Sequence, residues 1–146
     1  MEIRPCTPDD VPWILKRAKI AFGSIVNGYD EKGAEAWIDY AIRAPDMICM
    51  RGEYVVGFGS VLRLPWAPTV GVCDLVHLFG KSPRGQAWEA IDVTRVIRDR
   101  CFEMGCLEMY IGSAYADLSV VGAELGGKPT SMTYVLKAGN RETSGV

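Results

Sequence analysis

The sequence predicts an α/β domain with a mixed central β-sheet flanked by helices. Helical stripes and period-two runs follow one another in the order strand, two helices, three strands, helix, strand, helix, strand, which suits a sheet that is part antiparallel and part parallel. The chain is 146 residues long and 49% apolar, enough to build one core and too short to favour a second domain. We therefore expect one domain over residues 1–137 and a polar, mobile tail over 138–146.

Residues 2–6 read as a short extended start. "TPDD" follows, with Thr7 as a helix N-cap, Pro8 at the first helical position and Asp10 three residues past the cap. Val11, Ile14, Leu15, Ala18 and Phe22 fall on one stripe, which predicts a helix over 8–22. After a loop around Asn27-Gly28, Ala34, Trp37, Ile38, Ala41 and Ile42 mark a second helix, ended by Pro45.

"DMICMRGEYVVGFGSVLRL" reads as a hairpin, with strands over 47–50 and 54–64 and a turn over 51–53. A third strand is expected over 70–79. The helix that follows should run about five turns. Trp88, Ile91, Val93, Val96, Ile97 and Phe102 supply its apolar contacts, and Gly105 stops it. "LEMYIG" reads as a strand, 116–125 as a weak helix stopped at Gly126-Gly127, and "TSMTYVLK" as a final strand. Trp13, Trp37 and Trp88 lie on predicted helical stripes and read as core.

The formal net charge of -2 provides no field that would gather phosphate polymers. Arg95, Arg98 and Arg100 are interleaved with Asp92, Asp99 and Glu103, the pattern of a solvated helix face, so nucleic-acid binding is not expected. Five cysteines without CxxC spacing and a single histidine argue against a metal site and for buried thiols in a reducing cytoplasm. No signal segment or membrane-length apolar run is present, so no membrane association is expected.

Three passages carry a resemblance to a known family. "EIRPCTPDDVPWILKRAKIAF" is similar to an I-R-x-A-x-x-x-D strand-to-helix start, "GEYVVGFGSV" to a G-x-x-V-G-F/Y hairpin, and "GAELGGKPTSMTYVL" to a Y-x-x-x-G-F helix-to-strand passage. In this order they resemble the GNAT superfamily of acyl-CoA-dependent N-acyltransferases, over nearly the whole chain.

The resemblance implies acetyl transfer from acetyl-CoA to an amine by direct attack, with no covalent enzyme intermediate. In "KSPRGQAWEA", Arg84 matches the start of the family's Q/R-x-x-G-x-G/A motif, and Ala87 and Glu89 occupy its two small-residue positions. The motif holds the cofactor pyrophosphate on a helix N-terminus, where unpaired N–H groups and the helix dipole favour an anion. Lys81, Arg84, Gly85, Gln86 and Ala87 would contact the phosphates, and Phe79 and its neighbours would pair with the pantetheine arm. Glu89 departs from the pattern, placing bulk and negative charge in what is expected to be the first helical turn; its carboxylate could instead satisfy the helix terminus.

An amine protonated at neutral pH needs a base, and Asp74 and His77 in "VGVCDLVHLF" are the candidates. Each also has a plainer structural reading, as a paired buried acid and a satisfied histidine. Gly122 stands where many family members place a tyrosine that reprotonates the thiolate, and Gly127 replaces the aromatic of the G-F pair. Tyr115 could substitute from another direction. Tyr29 lies where the family shapes its acceptor site. Trp66, between two prolines, is either a plug over the sheet or a substrate or partner contact. Small chains of the family often pair with a copy of themselves, so a homodimer is a further expectation. The competing reading is a GNAT-like binding or protein-interaction module that has lost catalysis.

Overall fold

The computed structural model describes residues 2–23, 28–62, 65–66, 70–74, 83–112, 119–130, 134 and 136–138; of 70–74 and 83–87 it describes the backbone alone. The elements are β1 (Arg4–Pro5), a 3-10 turn (Pro8–Asp10), α1 (Val11–Phe22), α2 (Glu31–Arg43), β2 (Met47–Arg51), β3 (Val56–Leu62), β4 (Val70–Asp74), α3 (Pro83–Glu103), β5 (Glu108–Ile111) and α4 (Ser119–Glu124). They form a five-stranded sheet in the order β1-β2-β3-β4-β5, antiparallel except for the β4–β5 pair. That one parallel pair follows from α3, which carries the chain back along the sheet between β4 and β5.

Alternation along the strands divides the core between the two faces of the sheet. Cys49, Val56 and Phe58 face Ile14 and Ala18 of α1 and Ile38 and Ala41 of α2. Ile48, Met50 and Val61 face Val93, Ile97 and Cys101 of α3 and Val121 of α4. Gly105, at φ +96°, ends α3 in the left-handed conformation that favours glycine, and the Cys106 N–H closes the helix onto the Cys101 carbonyl at 3.2 Å.

Several expectations need correction. Trp88 is 65% exposed and Phe102 45% exposed, because the buried face of α3 runs through Ala90, Val93, Ile97 and Cys101. Trp37 is also half exposed, with only its edge on Phe58, 5.1 Å between ring centroids. The hairpin turn is longer than 51–53: β2 continues to Arg51 and β3 begins at Val56, with the Gly52 N–H bonded to the Val55 carbonyl at 2.9 Å. The expected final strand is not seen in its described residues. Thr130, Tyr134, Leu136 and Lys137 lie outside the sheet, with Tyr134 78% and Leu136 95% exposed. A period-two pattern assigns faces to a strand without supplying an edge for it to join.

The start of α1 is tied to the sheet by one buried acid. Asp10 receives both Arg4 terminal nitrogens at 2.8 Å, Arg51 Nη1 at 2.9 Å and the Thr7 N–H at 2.8 Å. The Arg4 guanidinium, helped by the Thr7 N–H and Arg51, holds the Asp10 carboxyl well below the usual carboxylate range despite its burial. A carboxyl lowered in the folded state contributes stability above its unfolded pKa of about 4, and that contribution disappears as pH falls below it. Asp10→Ala should therefore cost about 3 kcal/mol at neutral pH, since it leaves Arg51 without its carboxylate. In urea unfolding the deficit should shrink on acidification below about pH 4, whereas a pH-independent deficit would remove the electrostatic account.

Candidate active site

The sheet has one end where ligands are expected. Arg51 lies opposite both Arg4 and Val56, Phe58 lies opposite Asp74, and Cys73 lies opposite Ile111. These registers place the carboxyl ends of β4 and β5 at the same end of the sheet as the β2–β3 turn. The β4–β5 ladder ends at Cys73 and Ile111, while Asp74 keeps its β3 partner and has none on β5. Open α/β sheets bind ligands beyond the carboxyl ends of parallel strands, where loops leave a crevice and backbone groups lack ladder partners.

The next described element is α3. Its first residue, Pro83, lacks an N–H and suits the first helical position. The N–H groups of the following residues have no partner within the helix, and no acidic residue occupies the first turn. A helix of 21 residues directs its positive end toward whatever lies there.

Glu89 does not stand in that turn, contrary to the expectation from the motif. Because α3 already begins at Pro83, Glu89 belongs to its second turn, where it is buried at 9% exposure. Its Oε1 accepts the N–H of Tyr54 at 2.6 Å and of Val55 at 2.8 Å. The carboxylate therefore serves the β2–β3 turn from the second turn of its helix rather than standing in the first. Gly52 makes the approach possible, because a Cβ there would collide with Glu89 Oε1.

Beside the turn, Trp13 carries two cations. The Arg51 guanidinium carbon lies 3.4 Å from its ring centroid and that of Arg17 3.8 Å. Both guanidinium groups are thus within stacking distance of the indole. Sequence reading missed this cluster because its members meet only in space: Arg51 and Asp10 are 41 residues apart.

Of the residues expected in the site, the topology brings the Asp74 backbone and the segment holding Arg84, Gly85, Gln86 and Ala87 to one end of the sheet. His77, Phe79, Lys81 and Tyr115 lie outside the described residues. Tyr29 immediately precedes α2, which packs on the sheet and leads into Met47 at the opposite end, so Tyr29 lies toward the Arg51 end. Its hydroxyl is buried without a hydrogen-bond partner, and burial, followed by Glu31 and Asp30, raises its pKa. Trp66 is set apart. It is 80% exposed, so it plugs nothing, and it sits in the β3–β4 connection between Leu62 and Val70, at the end opposite Asp74.

Known structures share this architecture. An aminoglycoside 6'-N-acetyltransferase, AAC(6')-IG, from Acinetobacter haemolyticus superposes with a TM-score of 0.71 over 94% of this chain and 97% of that one, at 12% identity. The aminoglycoside N-acetyltransferase AAC(6')-Iy in complex with CoA gives 0.69 over 93% of each chain, at 14% identity. The fold is that of the GNAT acetyltransferases. A transcriptional regulator from Bacillus halodurans, with a TM-score of 0.69, 14% identity and coverage of 93% of this chain and 97% of its own, has a similar structure. The GNAT fold thus leaves function to the site. No protein-family model matches the sequence, and neither does any curated protein.

Arg95, Arg98 and Arg100 are paired with Asp92, Asp99 and Glu103, which disperses the charge of that helix face. No group of three metal-ligating side chains is found among the described residues, and no helix is long and apolar enough to cross a membrane.

The Glu89 contact has a direct test. Glu89→Ala should lower stability by about 2–3 kcal/mol, since it strips two turn N–H groups of a charged acceptor. Glu89→Gln keeps an oxygen for the same N–H groups and should recover at least half of that in urea unfolding. Equal losses for the two variants would show that the turn does not depend on this oxygen.

Proposed function

We propose that the protein transfers an acetyl group from acetyl-CoA to an amine by direct attack. The observation that carries this reading is the acid-free first turn of α3 at the open carboxyl ends of β4 and β5, with Glu89 committed to the hairpin turn. The one departure from the family motif that would repel a pyrophosphate is thereby accounted for. A GNAT enzyme of similar architecture has been captured with CoA, which supports the same class of cosubstrate.

In this reading Arg84, Lys81 and the backbone of Gly85, Gln86 and Ala87 hold the phosphates, and Phe79 and its neighbours align the pantetheine arm. The amine lone pair attacks the thioester carbonyl carbon, a C–N bond forms, the C–S bond breaks and CoA departs as the thiolate. Asp74 or His77 takes the proton from the amine, and a donor such as Tyr115 returns one to sulfur. Tyr29, whose hydroxyl lacks a partner, belongs to the acceptor side. The acceptor is a small molecule or a protein amine.

Calorimetric titration with acetyl-CoA should give saturable binding, and at about 100 times Kd the ligand should add about 2.7 kcal/mol to unfolding stability. Arg84→Ala should weaken binding by about tenfold or more, the effect of removing one charge-assisted contact. No binding at about 1 mM acetyl-CoA would instead favour the non-catalytic module, to which Gly122 in place of the usual tyrosine also points.

A further inference from the structure

Three guanidinium groups, Arg4, Arg51 and Arg17, meet two carboxylates, Asp10 and Glu89, around Trp13. Among these described side chains one formal positive charge is left over, and Arg17 alone of the three guanidinium groups has no carboxylate bonded to it among the described residues. Arg4 and Arg51 are both bonded to Asp10. Arg17 forms no ion pair among the described residues. Among the described residues its side chain makes one hydrogen bond, a long one of 3.4 Å from Nη1 to the Trp13 carbonyl, and its Nε is buried with no partner. Burial and then the Arg51 charge lower the Arg17 pKa, with Glu89 opposing them, so the cation is held where it is under-compensated. A half-buried guanidinium pinned on a ring, short of both charge and acceptors, is arranged for an anion that arrives from outside.

Its place in the fold says which molecule brings that anion. Arg17 lies beside Arg51 and within reach of the field of Glu89, at the β2–β3 turn and on the end of the sheet where β4 and β5 open. Measured along the sheet, from that turn to the carboxyl ends of β4 and β5 is two strand spacings, about 10 Å. We infer that Arg17 is an anion-binding residue of the acceptor site, gripping a carboxylate or phosphate carried by the amine substrate about 10 Å from its reacting nitrogen. This rests on the acetyl-transfer reading. It deepens that reading by naming the acceptors as acidic amines.

The test compares three homologous series by calorimetry in the presence of CoA, where no transfer takes place: ω-amino carboxylates, ω-amino alkyl phosphates and amino alcohols of matched length. One or both acidic series should bind about tenfold or more tightly than the alcohols, with the advantage peaking where the chain spans about 10 Å. Which acid wins distinguishes a carboxylate from a phosphate substrate. Arg17→Gln should abolish the acid preference and leave the alcohols unchanged, with urea unfolding as the check on folding. Should that variant not fold, Arg17→Lys keeps the charge without the planar fork and should cut the preference several-fold. Equal binding of acids and alcohols, a preference that survives both substitutions, or no binding in any series would overturn the inference. A wild-type protein that prefers acids through Arg17 yet fails to bind acetyl-CoA would defeat the transfer reading and leave the anion site standing.

Discussion

One carboxylate oxygen decides how the functional end of this molecule is put together. Glu89 Oε1 takes the N–H groups of two consecutive residues, Tyr54 and Val55, in a turn where Val55 is wholly buried. Without that oxygen the buried Val55 donor would have nothing to bind and the half-buried Tyr54 donor would lose its charged acceptor, a penalty of about 2–3 kcal/mol together. The contact joins the hairpin to the second turn of α3 and thereby sets where the helix N-terminus lies relative to the ends of the strands. Gly52 is the steric counterpart of this arrangement, since only a residue without a side chain leaves room for the carboxylate.

A second tie acts from the opposite face. Asp10 draws Arg4 of β1 and Arg51 of β2 onto the start of α1, and Arg51 and Arg17 both stack on Trp13. The two ties converge on the β2–β3 turn. The end of the sheet that holds the carboxyl ends of β4 and β5 is therefore framed by charged contacts, whereas its middle is held by apolar ones from both faces. This division suits a site that must stay polar and accessible while the scaffold behind it stays closed.

Much of the scaffold was legible in the sequence because it rests on local periodicity. The stripe from Val11 to Phe22 and the cap at Thr7 to Asp10 led to α1 nearly to the residue, and Gly105 marked the end of α3. What was not legible depends on partners distant along the chain. Trp88 looked like core because its helix is amphipathic, yet its neighbours Glu89 and Ala90 face inward in its place. Tyr54 and Val55 looked like strand, and were taken out of the ladder by an acid 34 residues or more away. In the candidate site, the motif put Glu89 in the first turn of its helix where the structure has it in the second, bonded to the hairpin, because a sequence shows that a charge is present but not which way it faces.

The buried cysteines bear on the chemistry of a cosubstrate that ends as a free thiol. Cys6, Cys49 and Cys101 are buried and unpaired, and burial pushes each thiol up to about 12. Disulfide exchange proceeds through the thiolate, and a thiol with that pKa is ionised to about one part in 100,000 at neutral pH. In the acetyl-transfer reading, a released CoA, or the disulfide it forms on oxidation, would thus meet three sulfurs with almost no tendency to react. A protein that works beside a reactive thiol can in this way carry these cysteines in its core without becoming a target of its own product.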